Sequence, residues 1–205
     1  MNIIFVGVQG SGKGTQAKIV ASKLGVCHIS TGDLVRSATG DLKIMIDEII
    51  NKGGLVPNEL VLNVLKKRMT LEDCNEGIIL DGFPRNLEQA KLLDQDVEVD
   101  LVVEIKISDK ESIRRLSGRV SCEDCGEGYN TVTAPRPKDL EKCDQCGGSL
   151  VRRLDDNEEA ITKRIKTYHD ETEPVLDFYE DKVISINGER GIEKISKDIL
   201  GRLKS

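Results

Sequence analysis

The chain is predicted to fold as an α/β protein, a parallel β-sheet covered on both faces by helices. Short apolar runs of strand length alternate with longer helical patterns along most of its 205 residues, and glycines punctuate the changeovers. The first run, Asn2-Ile-Ile-Phe-Val-Gly7, is a short apolar run ending in glycine and reads as a strand buried on both faces. Glycines at 7, 10, 12 and 14 follow it. Thr15 to Leu24 then reads as a helix stopped by Gly25. Gly77-Ile-Ile-Leu-Asp81 and Leu101-Val-Val-Glu-Ile-Lys-Ile107 read as further strands, and Ser108 is placed to cap the helix after the second. Val183-Ile-Ser-Ile186 reads as the last strand, followed by Asn187-Gly188 and a helix from Ile192 to Leu203. Helical patterns occupy 58–69, 87–94, 109–117 and 157–180, the last broken near Pro174. Two stretches depart from this rhythm and read as inserts: 30–56, with helical pieces but no strong strand, and 119–154, rich in cysteine, proline and glycine.

Composition narrows the function. Hydrophobic residues make up 38% and charged residues 32%, well away from the composition of a disordered chain. Lys and Arg number 30 against 36 Asp and Glu, a net charge of −6 that disfavours binding to a nucleic-acid backbone. Aromatics are 3% with no Trp, so stacking platforms for bases are scarce. No apolar run approaches a membrane span, and no basic start leads into a signal-like stretch. The expectation is a cytoplasmic protein with no membrane partner and no nucleic acid.

Gly7-Val-Gln-Gly-Ser-Gly-Lys13 fits G-x-x-x-x-G-K, between a strand and a helix. Backbone amides of such a turn converge on phosphate oxygens, the helix N-terminus adds partial positive charge, and Lys13 reaches the β/γ oxygens. Gly10, Ser11, Gly12, Lys13, Gly14 and Thr15 are therefore candidate ATP contacts. The usual hydroxyl after the lysine is replaced by Gly14, with Thr15 one position later.

Cys122-Glu-Asp-Cys125 and Cys143-Asp-Gln-Cys146 have the spacing of a structural zinc site. Gly126 and Gly147-Gly148 permit the tight turns that aim the sulfurs at one ion. Two disulfides or a redox pair are the alternatives, and four thiolates also accept iron or cobalt. Cys27 and Cys74 read as buried small hydrophobes, and His28 and His169 as structural.

Gly-Lys-Gly-Thr-Gln (12–16), Ser-Thr-Gly-Asp-Leu (30–34) with Arg36, Asp-Gly-Phe-Pro-Arg (81–85), Gly-Arg (118–119) and Arg-x-Asp-Asp (153–156) with Arg164 occur in one order along the chain. Together they resemble the adenylate kinase family, in its long form with a zinc-binding lid, over essentially the whole length. Gln9 stands where the family usually has proline, and Asn58 where aspartate is common. The resemblance implies the nucleoside monophosphate kinase fold, with a five-stranded parallel sheet. Residues 1–29, 57–118 and 155–205 would form the core, 30–56 an AMP-binding insert and 119–154 the lid.

It also implies reversible transfer of a phosphoryl group, ATP + AMP = 2 ADP with Mg²⁺, in a monomer. Such chemistry needs positive charge, alignment and exclusion of water more than covalent help. Arginine suits it, being planar, bidentate towards phosphate and always charged. By the resemblance, Lys13 and Arg119 hold the ATP phosphates, Arg36 and Arg85 the AMP phosphate, and Arg153 and Arg164 the transferring group. Of the adjacent Arg152 and Arg153, the second is chosen because it stands two before Asp155. Thr31 and Gln89 match contacts to the AMP base, with Gly54, Leu55 and Val56 and the turn Gly82, Phe83, Pro84 and Arg85 lining the same pocket. Arg115 is placed against the ATP adenine, and Gly128, Tyr129 and Arg190 closing over ATP. Asp81, Asp155 and Asp156 would orient magnesium through water. The competing readings are a kinase of another nucleoside monophosphate and an ATP-switched zinc-ribbon protein that binds nucleic acid.

Overall fold

A computed structural model describes residues 1–36, 43, 44, 46, 48, 49 and 56–203. Its centre is a five-stranded, all-parallel sheet in the order β2-β3-β1-β4-β8, comprising β1 (Asn2–Val6), β2 (Cys27–Ser30), β3 (Ile78–Asp81), β4 (Leu101–Lys106) and β8 (Val183–Asn187). Parallel neighbours need crossovers, and helices supply them. α1 (Lys13–Leu24) links β1 to β2, α3 (Asn58–Met69) precedes β3, α4 (Leu87–Asp94) precedes β4, and α5 (Asp109–Ser117) follows it. α2 (Thr31–Arg36) continues directly from β2.

Alternate residues of β1 serve the two faces, as the pleat requires. Ile4 and Val6 pack with Ile29, Leu65, Leu80, Phe83 and Leu93, while Ile3 and Phe5 pack with Ala17, Val20, Ile79, Val103 and Ile199. With burial on both sides, β1 must be apolar from Ile3 to Val6. β1 lies at the middle of the order, with β2 and β3 to one side and β4 and β8 to the other. The chain therefore reverses its direction of travel across the sheet beside β1. Ligands of open α/β sheets bind at the carboxyl ends of strands flanking such a point. The glycine-rich loop and Asp81 both stand there.

The expected strands and helices are present, with small shifts at their ends. α1 begins at Lys13, two residues before the expected start, and Gly25 ends it in the left-handed conformation at φ 70°. Ser108 caps α5, its side chain accepting from the Glu111 amide. The long pattern over 157–180 divides into α6 (Glu158–Thr167), a π-turn (Tyr168–Thr172) and α7 (Pro174–Phe178), with Pro174 at the first position of the last piece. α8 (Ile192–Arg202) packs on α1. The strand at 27–30 was not expected from the sequence.

Residues 119–151 hold a second, antiparallel sheet in the order β6-β5-β7, made of β5 (Arg119–Cys122), β6 (Gly128–Asn130) and β7 (Leu150–Val151). Its small core consists of Val120, Cys122, Tyr129 and Cys143, with Leu150 packed against it. Four residues are too few to hold a fold alone, so this unit depends on something besides apolar burial.

Candidate active site

The loop from β1 to α1 is built for close approach. At Gly7 (φ 155°) a Cβ would stand 2.6 Å from the Ile105 carbonyl oxygen, so no side chain fits there. The Ser11 amide donates to the Val8 carbonyl at 3.0 Å, and the loop is pinned to α5 where the buried Ser112 hydroxyl donates to the Gln9 carbonyl at 2.6 Å. Among the described residues, Gln9 Oε1 and Ser11 Oγ are buried in this loop without a hydrogen-bond partner. Buried polar atoms are seldom left so, and the Ser11 hydroxyl can donate to a phosphate oxygen brought into the loop. Lys13 opens α1 from the same turn.

Opposite the loop, β3 ends at Asp81 and the turn Gly82–Arg85 follows, with a cis peptide between Phe83 and Pro84. The buried Thr31 hydroxyl donates to the Gly82 carbonyl at 2.8 Å, and Arg85 Nε donates to the same carbonyl at 2.8 Å. Gln89, buried on α4, accepts from the Arg85 amide at 2.7 Å through Oε1 and donates through Nε2 to Asn58 Oδ1 at 2.7 Å. Thr31, Gly82, Arg85 and Gln89 thus form one hydrogen-bonded group, with Val56 buried in the adjoining core.

The remaining cations come from the other side. Arg119, first residue of β5, makes a forked ion pair with Asp156, at 2.6 Å from Nε and 2.5 Å from Nη2. Arg153 forks onto Asp155 at 2.9 and 3.0 Å. Arg164, on α6, reaches Asp155 and Asp156, each at 3.1 Å. Three arginines share two carboxylates, leaving the cluster net positive. Burial raises the Asp155 carboxyl, but Arg153 and Arg164 outweigh it and hold it at about 2. Burial lowers Arg164 to about 10, with Arg119 adding to the fall.

Lys13 ties these groups together. Burial lowers its ammonium to about 8; Asp81 opposes the fall, while Arg85, Arg164 and Arg119 deepen it. Loop, strand-end turn, small sheet and α6 therefore converge on one point where positive charge accumulates. Like charge gathered in this way is unfavourable in the protein alone and becomes favourable around a polyanion.

In the small sheet the four sulfurs of Cys122, Cys125, Cys143 and Cys146 all lie within 4.8 Å of one another. Cys122 and Cys146 are 3.5 Å apart, and Cys125 and Cys143 3.6 Å apart. Thiolates about 2.3 Å from a tetrahedral zinc would be separated by about 3.8 Å, so the arrangement fits a four-coordinate ion. Burial raises the Cys143 thiol, but hydrogen bonds from Tyr129 and from backbone amides prevail and bring it to about 6, favouring the thiolate that a metal requires.

A sequence model of the adenylate kinase family matches residues 5–184. The chain belongs to the adenylate kinase family. It is 42% identical over 218 residues to an adenylate kinase of Archaeoglobus fulgidus, with all of each chain covered. It is 40% identical over 214 residues to one of Thermosipho africanus, again over the whole of both. To one of Acetivibrio thermocellus it is 41% identical over 213 residues, covering 99% of this chain and 98% of that one. The family is one of nucleoside monophosphate kinases, and the P-loop fold with its five-stranded parallel sheet agrees with it. No helix among the described residues is long and apolar enough to cross a membrane.

Not every residue expected at an adenylate kinase site joins the converging group. Arg115 lies along the loop, donating to the Ser11 carbonyl at 3.2 Å and the Gly188 carbonyl at 2.8 Å while paired with Glu111. Arg190 is drawn away to Asp198, 2.6 Å distant on α8. Tyr129 points into the core of the small sheet, its hydroxyl 3.5 Å from Cys143 Sγ, and Gly128 beside it is exposed. Arg36 closes α2; its side chain, like Gly54 and Leu55, lies outside the described residues. Four contributors escaped sequence reasoning. Ser112 and Asn58 carry no sequence signal for their roles. Thr172, whose hydroxyl holds the Arg85 carbonyl at 2.8 Å, carries none either. Lys18 bridges α1 to Glu127 of the small sheet and looks like any helix-surface lysine.

Proposed function

We propose that the chain catalyses ATP + AMP ⇌ 2 ADP, with magnesium accompanying ATP. The observation that carries this reading is that Arg85, Arg119 and Arg164 lie near enough to Lys13 to lower its ammonium while Asp81 opposes them. A metaphosphate-like group in flight between two nucleotides spreads charge over three oxygens, and preorganised cations stabilise it without reorganising.

In this reading, residues 1–29, 57–118 and 155–205 are the core, 30–56 the AMP-binding insert and 119–154 a lid that closes over ATP. Gly10 to Thr15 cradle the ATP phosphates with Lys13 and Arg119, and Arg115, the backbone of Gly128 and Tyr129, and Arg190 once released from Asp198 complete the ATP side. Arg36 and Arg85 hold the AMP phosphate. Thr31 and Gln89, with residues 54–56 and the 82–85 turn, hold its base. Arg153 and Arg164 clamp the transferring group. The pairing of Arg119, Arg153 and Arg164 with Asp155 and Asp156 supports an exchange on binding: phosphate oxygens take over the arginines and free the two carboxylates. Magnesium would neutralise phosphate charge, and Asp81, Asp155 and Asp156 would hold its waters.

Zinc in the four-cysteine cluster would be structural, since four sulfurs leave no open position for chemistry. The small sheet is too poor in apolar residues to fold without such a contribution. The chain would act as a cytoplasmic monomer, and its net charge of −6 disfavours a nucleic-acid partner.

The test is phosphoryl transfer from MgATP to AMP, UMP, CMP and GMP in parallel. Fast ADP formation with AMP alone is expected. Preference for another monophosphate would overturn the base-pocket assignment and keep the arginine roles. Silence on all four with ATP still bound would overturn the enzyme reading.

A further inference from the structure

Away from the nucleotide site, two buried cysteines that the chemistry above does not use face each other. Cys27 begins β2, and Cys74 closes the 3₁₀ turn Glu72–Cys74 that leads into β3. Their sulfurs are 2.7 Å apart, and both residues are buried. Arg68, at the end of α3, donates from Nη1 to Cys74 Sγ at 3.1 Å and makes a forked pair with Asp73. We propose that Cys27 and Cys74 form a reversible dithiol–disulfide pair in which Cys74 is the attacking sulfur.

The roles follow from the surroundings. The attacking sulfur is the one that an incoming disulfide can reach. Arg68 touches Cys74, and Cys74 also borders an open surface cavity of about 430 Å³, lined by Met69, Asn75, Gly77, Asp96 and Glu98 among others. Burial and the neighbouring sulfur push the Cys27 thiol up to about 12, so it waits as a thiol behind its partner. A disulfide bond of about 2.05 Å needs the sulfurs to close by roughly 0.7 Å. Cys27, Asp73 and Cys74 also lie close enough together to hold a cation. However, Arg68 already brings a positive charge to Asp73 and Cys74, and like charge opposes a second one there.

The oxidant is a small-molecule disulfide such as oxidised glutathione. The Cys74 thiolate attacks one of its sulfurs, the glutathione S–S bond breaks, and one glutathione leaves as thiolate. Cys27 then gives up its proton to solvent and attacks the Cys74 sulfur, displacing the second glutathione. The two cysteine sulfurs are oxidised, one glutathione disulfide is reduced to two thiols, and the electrons balance. The new bond tethers the two ends of the segment that carries Thr31 and Arg36.

The experiment incubates the full zinc-loaded chain with oxidised glutathione, alkylates the remaining thiols and maps tryptic peptides by mass spectrometry. The expected product joins peptides 24–36 and 69–85 and is released by dithiothreitol, with the lid cysteines still alkylated separately. Both cysteines alkylated singly would overturn the pair, as would glutathione retained on Cys74 beside an alkylated Cys27. C27S should accumulate glutathione on Cys74, and C74S should leave Cys27 unmodified. The reverse pattern would overturn the order of attack. If either variant fails to fold, the wild-type map still decides the pairing.

Discussion

Gly14 lies directly against the carboxylate of Asp81, so that a Cβ at position 14 would stand 2.9 Å from Asp81 Oδ2. The absence of a hydroxyl-bearing residue after Lys13 is thus a packing requirement as well as a departure from the common loop pattern. It lets the β3 carboxylate approach the first turn of α1, close enough to act on Lys13. In G14A the added methyl should displace Asp81, whose short side chain has little freedom to yield. Alanine favours a helix over glycine by up to about 1 kcal/mol, which offsets the crowding. Turnover is expected to fall at least about tenfold, or about 1.4 kcal/mol in the barrier, with the melting temperature little changed. An unaltered rate would show that Asp81 gives way without consequence.

Lys13 should impose an alkaline limb on nucleotide binding. Its folded pKa, about 8, lies below the ordinary 10.5. As pH rises through 8 the free protein loses this charge, whereas in an unfolded chain the lysine would stay protonated to about 10.5. Bound phosphate should pull the proton back. Accordingly, kcat/KM for ATP should decline above about pH 8, while kcat at saturating ATP holds to higher pH. K13M should nearly abolish turnover with the fold intact. A flat kcat/KM profile to pH 10 would contradict the assignment.

How much of this was legible beforehand depends on how strongly each segment's pattern was forced. β1, β3, β4 and β8 were readable because burial in a parallel sheet demands apolar runs such as Ile3 to Val6. β2 was not. In Cys27-His-Ile-Ser30 only two residues are buried, and His28 and Ser30 interrupt the apolar signal. Arg85, Arg119 and Arg164, each carried by a motif, lie near enough to Lys13 to lower its ammonium. What no motif carried is how these cations are held in check. Asp155 and Asp156, which the resemblance assigns to magnesium, are engaged here by three arginines. Tyr129 illustrates a limit of another kind, since which face of a short strand looks inward depends on where the cysteines converge.

The arginine cluster makes the protein's acid stability depend on Asp155. Arg153 and Arg164 depress its carboxyl from an ordinary 3.8 to about 2, against the opposing effect of burial. A depressed carboxylate stabilises the fold above its unfolded pKa, and that stabilisation is lost as pH falls through the folded value. The contribution is therefore complete above about pH 4 and disappears towards pH 2, amounting to about 2 kcal/mol. Urea denaturation of the wild type and D155N should show a stability difference that shrinks by about this amount between pH 5 and pH 2. A difference independent of pH would mean that Asp155 contributes by packing and neutral hydrogen bonding alone.

In the proposed reading, removing zinc should melt the 119–154 lid before it stops the chemistry. With four residues in its apolar core, the 119–151 sheet depends on what the cysteines bind. C143S, or extraction with a chelator, should release about one equivalent of zinc and lower the melting temperature by several degrees. Turnover well below the new transition should fall less than about tenfold, because no cysteine reaches the cation cluster. Unchanged melting and metal content would refute a structural metal site.

Asn58 offers the sharpest test of base recognition. Its Oδ1 accepts from Gln89 Nε2 at 2.7 Å and from Asn86 Nδ2 at 3.1 Å, while its Nδ2 donates to Glu88 Oε2 at 2.7 Å. These contacts fix which end of the Gln89 amide is donor and which acceptor, since Oε1 is already committed to the Arg85 amide. Asn58→Asp keeps the acceptor for Gln89 but sets a second carboxylate against Glu88. It should cost about 0.5–1 kcal/mol in stability between half-buried position 58 and exposed Glu88, with the KM for AMP nearly unchanged. Asn58→Ala removes the acceptor and lets the amide turn. The KM for AMP should then rise about fivefold or more, roughly 1 kcal/mol and one hydrogen bond's worth, while the KM for ATP stays put. If both variants leave the KM for AMP alone, Gln89 is oriented by the Arg85 amide without help from Asn58. If both raise it equally, charge near α4 matters more than the direction of the amide.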